Sequence, residues 1–177
     1  PPSLTVLQAW DVPPFGGDTI WANQYLAYES LSDDVKERIA GLRGIHSAGV
    51  AYGTGGFLDL VAGQSSMSIE PSPDAYATRT HPLVIRHPET GRPALYASPT
   101  YTMGIEGMEP EKERPLLNLL FRHAVNENFT VRLKWSPGMV AIWDNRCTQH
   151  YAVNDYPGRR REMFRTSVRG LTPVAAS

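Results

Sequence analysis

Alternating apolar and polar residues predict six strands along the chain. Successive side chains of a strand point to opposite faces, so a period of two indicates a strand with one buried face. The pattern occurs at residues 3–10, 81–86, 93–97, 130–135, 139–143 and 162–168. Turn residues separate the second strand from the third and the fourth from the fifth, which predicts two hairpins.

Apolar residues spaced three or four apart predict helices in two other parts of the chain. Between residues 23 and 42 this spacing indicates two helices separated near Glu29, and Ser32 followed by two aspartates is a typical helix start. Pro110 opens a further helix that continues to about Val125. Strands joined by hairpins and interrupted by helices favour a mainly β fold with helices, an antiparallel barrel with helical insertions.

The stretch from 47 to 80 is rich in glycine, serine and proline and has no clear periodicity. Long segments of this kind are connecting loops, and they often cover a binding site. We interpret 47–80 as a mobile lid, and a plain surface insertion is the alternative interpretation. No second domain is required by the rest of the chain.

Composition narrows the setting in which the protein works. A length of 177 residues with 41% hydrophobic residues suits one domain with its own core. A net charge of −1 gives no general attraction to nucleic acid or to an anionic membrane. Cys147 is the single cysteine, and its spacing of three from His150 would place the two side chains on opposite faces of an extended chain. We expect a cytoplasmic protein without nucleic-acid or membrane partners, in which Cys147 is a structural thiol.

His150, Arg161 and Arg165 carry the candidate chemistry. Imidazole binds iron, copper or zinc, and a guanidinium holds a carboxylate or sulfonate through paired hydrogen bonds. In an extended strand Arg161 and Arg165 share one face with Met163, so both cations serve one surface. If that surface is the interior of a barrel, anionic ligands or acidic side chains must compensate the buried charge. If it faces solvent, the stretch is an ordinary basic strand with a structural histidine.

A series of motifs runs along the chain from Gly16 to Arg165. The motifs are Gly16-Gly17-Asp18-Thr19-Ile20-Trp21, Gly41-Leu42-Arg43, His46, His81-Pro82-Leu83-Val84, His87-Pro88, Gly91, Trp143-Asp144-Asn145, Thr148, His150, Asp155-Tyr156, Arg161 and Arg165. Their order and approximate spacing resemble the taurine dioxygenase and dichlorophenoxyacetate dioxygenase (TauD/TfdA) family of Fe(II)- and α-ketoglutarate-dependent oxygenases. The run 105–108 is similar to the phenoxypropionate branch and the run 149–152 to taurine dioxygenase, so the branch stays open.

The resemblance implies a fold and a role for each of five residues. The fold is a double-stranded β-helix, or jelly roll, and residues 1–177 would be the C-terminal part of one such domain. His150 would be the distal histidine of the facial triad that holds iron. Thr19 and Arg161 would bind the far carboxylate of α-ketoglutarate, and Trp143 would pack beside this cosubstrate. Arg165 would engage the anionic group of the substrate.

The iron ligands depart from the family pattern. The facial triad consists of two histidines and a carboxylate, and in the family two of these ligands form a His-x-Asp pair upstream of the Gly-Gly-Asp-Thr turn. The chain contains no His-x-Asp, and its nearest imitation, His87-Pro88-Glu89, continues into Thr90-Gly91 as a turn. We therefore expect the pair to lie upstream of Pro1.

The resemblance implies that Fe(II), α-ketoglutarate and O2 serve to hydroxylate a small anionic substrate. This substrate would be a sulfonate, a sulfate ester or an aryloxyalkanoate, hydroxylated next to a heteroatom with release of succinate and CO2, in a homo-oligomeric protein. Two alternatives stay open. A degenerate relative would use Thr19, Arg161 and Arg165 to bind an organic anion without iron. An interaction domain would need neither metal nor anion, and its arginines would be surface charge.

Overall fold

The computed structural model describes residues 1–56, 60 and 70–176. Within this part the chain forms twelve strands, four α-helices and two 3-10 helices. The strands are β1 (Pro2–Asp11), β2 (Thr19–Asn23), β3 (Arg43–His46), β4 (Arg79–Pro82), β5 (Val84–Arg86), β6 (Pro93–Leu95), β7 (Thr102–Ile105), β8 (Thr130–Leu133), β9 (Val140–Asp144), β10 (Thr148–Ala152), β11 (Glu162–Arg169) and β12 (Val174–Ala175). The helices are α1 (Gln24–Glu29), α2 (Asp33–Ile39), α3 (Gly49–Tyr52) and α4 (Pro110–Ala124), with 3-10 turns at Pro73–Tyr76 and Glu127–Phe129.

The strands form four antiparallel sheets of three strands each, with the orders β11-β1-β9, β10-β2-β8, β12-β5-β6 and β4-β3-β7. Side chains from the first two sheets meet in one apolar cluster that contains Ala9, Trp21, Trp135 and Trp143. A larger cluster packs α1, α2 and α4 against β5 and β6. The predicted mainly β fold with helices is thus confirmed.

Several local predictions are confirmed in detail. The helices α1 and α2 are separated after Glu29, and the side chain of Ser32 accepts a hydrogen bond from the backbone N–H of Val35, as an N-cap does. Pro110 occupies the first turn of α4. The hairpin of β5 and β6 forms across the 88–91 turn, with Gly91 at a φ of +69°.

The hairpin predicted between 130–135 and 139–143 is wrong. β8 pairs with β2, whereas β9 pairs with β1, so the turn at 136–138 carries the chain from one sheet to the facing sheet. The turn is fixed to β1, because Gly138 N–H donates to the Ala9 carbonyl at 2.8 Å and Ala9 N–H donates to the Met139 carbonyl at 2.8 Å. Burial of Trp135 and Trp143 between the two sheets favours this crossover. The alternation of apolar and polar residues in the sequence is the same for a crossover and for a hairpin, so it does not distinguish them.

The strand predicted at 81–86 is divided at Leu83. Its first half belongs to β4, which pairs with β3, and its second half is β5, which pairs with β6 and β12. The Leu83 side chain is fully buried, and its backbone N–H donates to the Leu42 carbonyl at 2.9 Å. Burial of this leucine in the main core redirects the chain between two sheets.

The proposed lid at 47–80 extends beyond the described residues, because 57–59 and 61–69 lie outside them. The described residues at the beginning and at the end of this segment are in contact with each other. Tyr76 packs on Gly49 and Gly53, where an added Cβ would lie 2.4 and 2.5 Å from the tyrosine ring, and its hydroxyl donates to the Thr54 carbonyl at 2.7 Å. In the described part of the chain the longest helix, α4, has 15 residues, and no helix there could cross a membrane.

Candidate functional site

The structure brings together three of the five residues singled out in the sequence. In the antiparallel pairing of β2 with β10, Trp21 lies opposite His150 and Thr19 lies opposite Ala152, so Thr19, Trp21 and His150 share one face. Trp143 reaches the same place from β9, and its ring centroid lies 4.9 Å from that of His150 and 5.4 Å from that of Trp21. The site is therefore built between the two facing sheets.

Thr19 is a buried hydroxyl with a hydrogen to donate. Its side chain is 1% exposed, and its Oγ1 accepts a hydrogen bond from Trp135 Nε1 at 2.9 Å. An indole nitrogen can only donate, so the threonine oxygen acts as the acceptor and its own O–H remains available for another acceptor. A ligand carboxylate would be such an acceptor.

Arg161 offers a second donor close to the loop that precedes Thr19. Its Nε donates to the Gly17 carbonyl at 3.2 Å, two residues before Thr19. Its Nη2 is buried and has no hydrogen-bond partner among the described residues. Because a buried guanidinium N–H without an acceptor is costly, this side chain is suited to an anion with two oxygens.

The loop at 16–18 is shaped to let Arg161 approach. Gly17 has a φ of +70°, and a Cβ added there would lie 2.9 Å from Arg161 Cδ, so only glycine permits this contact. Gly17 N–H donates to Asp155 Oδ1 at 2.7 Å, and Asp18 Oδ2 accepts from Arg132 Nε at 2.7 Å. These contacts explain physically why the Gly-Gly-Asp turn and Asp155 occur in the same chain.

His150 has free ring nitrogens within the described part of the chain, where its side chain makes no hydrogen bond. Although the residue is exposed as a whole, loss of water around the ring lowers the pKa of His150, and the positive charge of Arg165 lowers it further. A lower pKa favours the neutral imidazole, which is the form that binds a metal ion. His150 thus suits one position of a metal site.

The orientation of Trp143 is fixed by Asn145. Trp143 Nε1 donates to Asn145 Oδ1 at 3.0 Å, and Asn145 Nδ2 donates to Thr5 Oγ1 at 2.9 Å. Since the His150 ring packs against Trp143, this chain of contacts also determines how the imidazole is held. The sequence pattern pointed to Trp143 but not to this role of Asn145.

Arg165 lies on β11 on the same face as Met163, which packs on the tryptophan cluster. The face shared by Arg161, Met163 and Arg165 is therefore the inner face of its sheet. The Arg165 side chain is exposed, and its charge lowers the pKa of His150 and also acts on Tyr101. An anion bound near His150 would therefore be attracted to Arg165.

His87 does not complete a metal site around His150, and the candidate group of metal ligands found in the described part of the chain does not include His150. His87 Nε2 donates to Asp144 Oδ2 at 3.0 Å, while its Nδ1 accepts from Thr90 N–H at 3.3 Å, so both ring nitrogens are used. His87, Asp144 and Cys147 offer ligand atoms within 4.8 Å of one another. However, Arg146 already binds both oxygens of Asp144, at 2.9 Å through Nε and 2.6 Å through Nη2, which leaves no free carboxylate for a metal.

Arg146 and His87 together strongly stabilise the negative charge on Asp144. Burial by itself would raise the pKa of Asp144, but hydrogen bonds from Arg146 and His87 outweigh it and hold the pKa at about 2. Burial also raises the pKa of Cys147, which agrees with a structural thiol. Arg146 reaches in turn to Glu89 at 2.9 Å. His87 and Glu89 are thus parts of an ion-pair network and not the missing ligands.

The roles of Trp21 and Trp135 were not predicted from the sequence. Both residues lie against Thr19, His150 or Trp143, and both carry an indole N–H close to the site. The available signal was the period of two in β2, which puts Thr19 and Trp21 on one face. The contact of Trp135 with Thr19 joins residues 116 positions apart, and no local pattern predicts it.

Comparisons with known proteins agree with the motifs. The model of the taurine catabolism dioxygenase TauD, TfdA family matches residues 1–167. An alkylsulfatase from Acinetobacter baylyi is 35% identical and is matched over 99% of this chain and 55% of its own length. An α-ketoglutarate-dependent sulfate ester dioxygenase from Pseudomonas putida is 34% identical, over 98% of this chain and 57% of its own length. The chain spans about half the length of these relatives.

Two solved structures have similar folds. A taurine dioxygenase from Burkholderia xenovorans superposes with a TM-score of 0.81 at 38% identity and covers 99% of this chain and 55% of its own. A protein named AAD-2, solved in complex with Mn(II) and N-oxalylglycine, has a TM-score of 0.81 at 28% identity and covers 99% of this chain and 66% of its own.

Proposed function

Because the chain belongs to the taurine catabolism dioxygenase TauD, TfdA family, we propose that its protein is an Fe(II)- and α-ketoglutarate-dependent dioxygenase with a jelly-roll fold. The observation that carries the proposal is the buried Nη2 of Arg161, which has no hydrogen-bond partner among the described residues and belongs to a side chain that contacts the loop before Thr19. Two donors without acceptors, one of them cationic, fit the far carboxylate of a dicarboxylic oxo acid.

In this proposal, Thr19, Arg161 and Trp143 would bind the cosubstrate, and His150 would supply one metal ligand. His150, whose pKa is lowered and whose side chain has no hydrogen-bond partner in the described residues, would be one of three ligands, and a His-x-Asp pair outside this sequence would supply the other two. Iron bound there would supply the oxygen chemistry, in which α-ketoglutarate, O2 and a C–H bond give succinate, CO2 and an alcohol. The facial arrangement leaves positions free for cosubstrate and O2.

The residues around the iron position hold the reactants and exclude water. Arg161 and Thr19 would anchor the far carboxylate, which directs the oxo acid end toward His150. Trp143, held by Asn145, would keep the imidazole in one orientation. The tryptophan cluster would keep the oxo acid away from bulk water.

The substrate in this proposal is a small organic anion. Arg165 is a cation on the inner face of its sheet whose charge reaches His150, and a guanidinium binds sulfonates, sulfate esters and carboxylates alike. The names of the alkylsulfatase and the sulfate ester dioxygenase favour a sulfate ester among these classes. A homo-oligomeric, cytoplasmic protein remains part of the proposal. So does the lack of nucleic-acid and membrane partners, which the net charge of −1 supports.

The segment 47–80 would form part of the substrate cover. Tyr52 at the end of α3 stacks on Tyr101, with centroids 6.4 Å apart and planes inclined by 12°, and the charge of Arg165 acts on Tyr101. The described beginning of the segment therefore lies on the Arg165 side of the site. Limited proteolysis should cleave the segment more slowly when α-ketoglutarate and Zn(II) are bound, and an unchanged cleavage rate would exclude a covering role.

The test of the function is iron titration of the full-length protein combined with succinate release from α-ketoglutarate. We expect one iron per chain and succinate release that depends on iron, and His150→Ala should abolish both while leaving the fold intact by circular dichroism. Binding of α-ketoglutarate without iron uptake would instead identify a non-catalytic anion binder. Absence of both would leave an interaction domain.

A further inference from the structure

Three tryptophans surround the candidate site, and their indole N–H groups are used differently. Trp135 Nε1 donates to Thr19 Oγ1 at 2.9 Å, and Trp143 Nε1 donates to Asn145 Oδ1 at 3.0 Å. Trp21 Nε1 is buried and has no acceptor among the described residues. Since an indole nitrogen can only donate, Trp21 has one hydrogen bond left to make.

The unpartnered donor cannot easily turn toward an acceptor. Trp21 is 9% exposed, and its ring is packed against Trp135 and Trp143, with centroid separations of 6.3 and 5.4 Å. Its strand, β2, is the central strand of its sheet and is paired on both sides. A buried donor without an acceptor is destabilising, and most such groups in proteins are paired by protein or water. A donor kept in this state is suited to an acceptor that arrives with a ligand.

The position of Trp21 indicates which ligand that is. Trp21 shares its strand face with Thr19 and lies directly opposite His150 in the pairing of β2 with β10. Thr19 marks the carboxylate end of the proposed cosubstrate, and His150 marks the metal end. A ligand that extends from one to the other passes the Trp21 ring.

We propose that Trp21 Nε1 donates a hydrogen bond to an oxygen atom of bound α-ketoglutarate and so belongs to the cosubstrate-binding residues. This inference rests on the proposed function. The directional N–H···O contact restricts rotation of the oxo acid about its long axis, which Thr19 and Arg161 at one end leave open. Trp21 therefore contributes to positioning as well as to affinity.

The proposal can be tested on the Zn(II)-loaded full-length protein, in which the metal site is filled without turnover. The indole N–H signals are followed by nitrogen-15 NMR and assigned with single Trp→Phe variants. Addition of α-ketoglutarate should move the Trp21 indole proton downfield and slow its exchange with solvent. Trp10, which is 62% exposed and outside the cluster, provides an unchanged reference signal.

A matched pair of variants measures the size of the effect. Trp21→Phe retains the ring but removes the donor, and it should raise the Kd for α-ketoglutarate about tenfold, equivalent to about 1.4 kcal/mol. Trp10→Phe should leave this Kd unchanged. The NMR observation uses the wild-type protein, and variants of the other tryptophans assign the Trp21 signal by elimination, so the test holds even if Trp21→Phe fails to fold.

Failure of this inference differs from failure of the proposed function. If α-ketoglutarate binds in an Arg161-dependent way while the Trp21 signal and the Kd of Trp21→Phe stay unchanged, Trp21 serves packing only and the inference is wrong. If α-ketoglutarate does not bind the Zn(II)-loaded protein, or binds independently of Arg161, the proposed function fails and the inference with it.

Discussion

Two arginines flank the candidate site, and their surroundings are opposite. Arg146 is tied to both oxygens of Asp144 and to Glu89, and His87 fills the remaining acceptor site of that carboxylate. Arg161 has a single backbone contact through Nε and a buried Nη2 without a partner in the described residues. A saturated ion-pair network has no hydrogen-bonding group left for a ligand, and losing one partner destabilises the fold, whereas an unsaturated cation is available to a ligand. Whether an arginine already has all its hydrogen-bond partners thus distinguishes a structural arginine from a candidate ligand-binding one more clearly than its residue type or motif does.

The largest expected effect comes from removing the unsaturated cation. Arg161→Gln should weaken α-ketoglutarate binding about 100-fold, which corresponds to about 2.7 kcal/mol, because the carboxylate loses its charged partner. The free energy of unfolding should change by less than about 1 kcal/mol, since Arg161 makes one backbone hydrogen bond and one contact with the Tyr156 ring in the described residues, and its buried Nη2 has no acceptor there. Calorimetric titration and urea unfolding measure the two quantities. An equal loss in stability and affinity would contradict the division of roles.

The same substitution in the saturated network should have the reverse effect. Arg146→Gln leaves Asp144 charged and partly buried, and we expect a loss of about 2 kcal/mol in unfolding free energy, less than for a fully buried pair because the side chains are 18% and 20% exposed. The Kd for α-ketoglutarate should stay within about threefold of wild type. If affinity falls as far as in Arg161→Gln, the network would have to act on the site itself.

The smallest effect is a pH dependence that belongs to the network alone. Because the pKa of Asp144 is lowered from 3.8 to about 2 in the folded state, its charged form is favoured by folding. This contribution is fully present above pH 3.8 and is lost as the pH falls toward 2, where the folded carboxyl also takes up a proton. Urea midpoints measured between pH 5 and 2 should therefore fall less steeply in Asp144→Asn than in wild type. Equal slopes would show that other carboxyl groups account for the acid sensitivity.

Much of the local structure could be predicted from the sequence, because it depends on neighbouring residues. Strand β1, the Ser32 helix start and the 88–91 hairpin each follow from short patterns of burial, capping and turn residues. The pairing of β8 and β9 could not be predicted, because alternation specifies a buried face but not the strand that covers it.

The candidate site also contains residues that could be predicted from the sequence and residues that could not. Thr19, Trp143 and His150 were predicted through the resemblance and do lie together. The partners that orient them were not predicted, since Trp135 meets Thr19 across 116 positions and Asn145 meets Thr5 across 140. Such contacts depend on the complete fold, and a single sequence contains no local signal for them.

In the proposed function, Gly17 would also limit the length of the cosubstrate. The Arg161 side chain packs on the Gly17 backbone and lies beside the Tyr156 ring, with 5.8 Å between its guanidinium carbon and the ring centroid, so a carboxylate anchor at Arg161 would have little room to move. In the proposed function, the distance between that anchor and the metal position would then suit only one number of carbon atoms. An oxo diacid one methylene shorter or longer would misplace its reactive end by roughly 1 Å, an error of the size that can lower a rate about 100-fold. Oxaloacetate and 2-oxoadipate should therefore support much slower turnover than α-ketoglutarate, and equal rates with all three acids would show that the anchor yields.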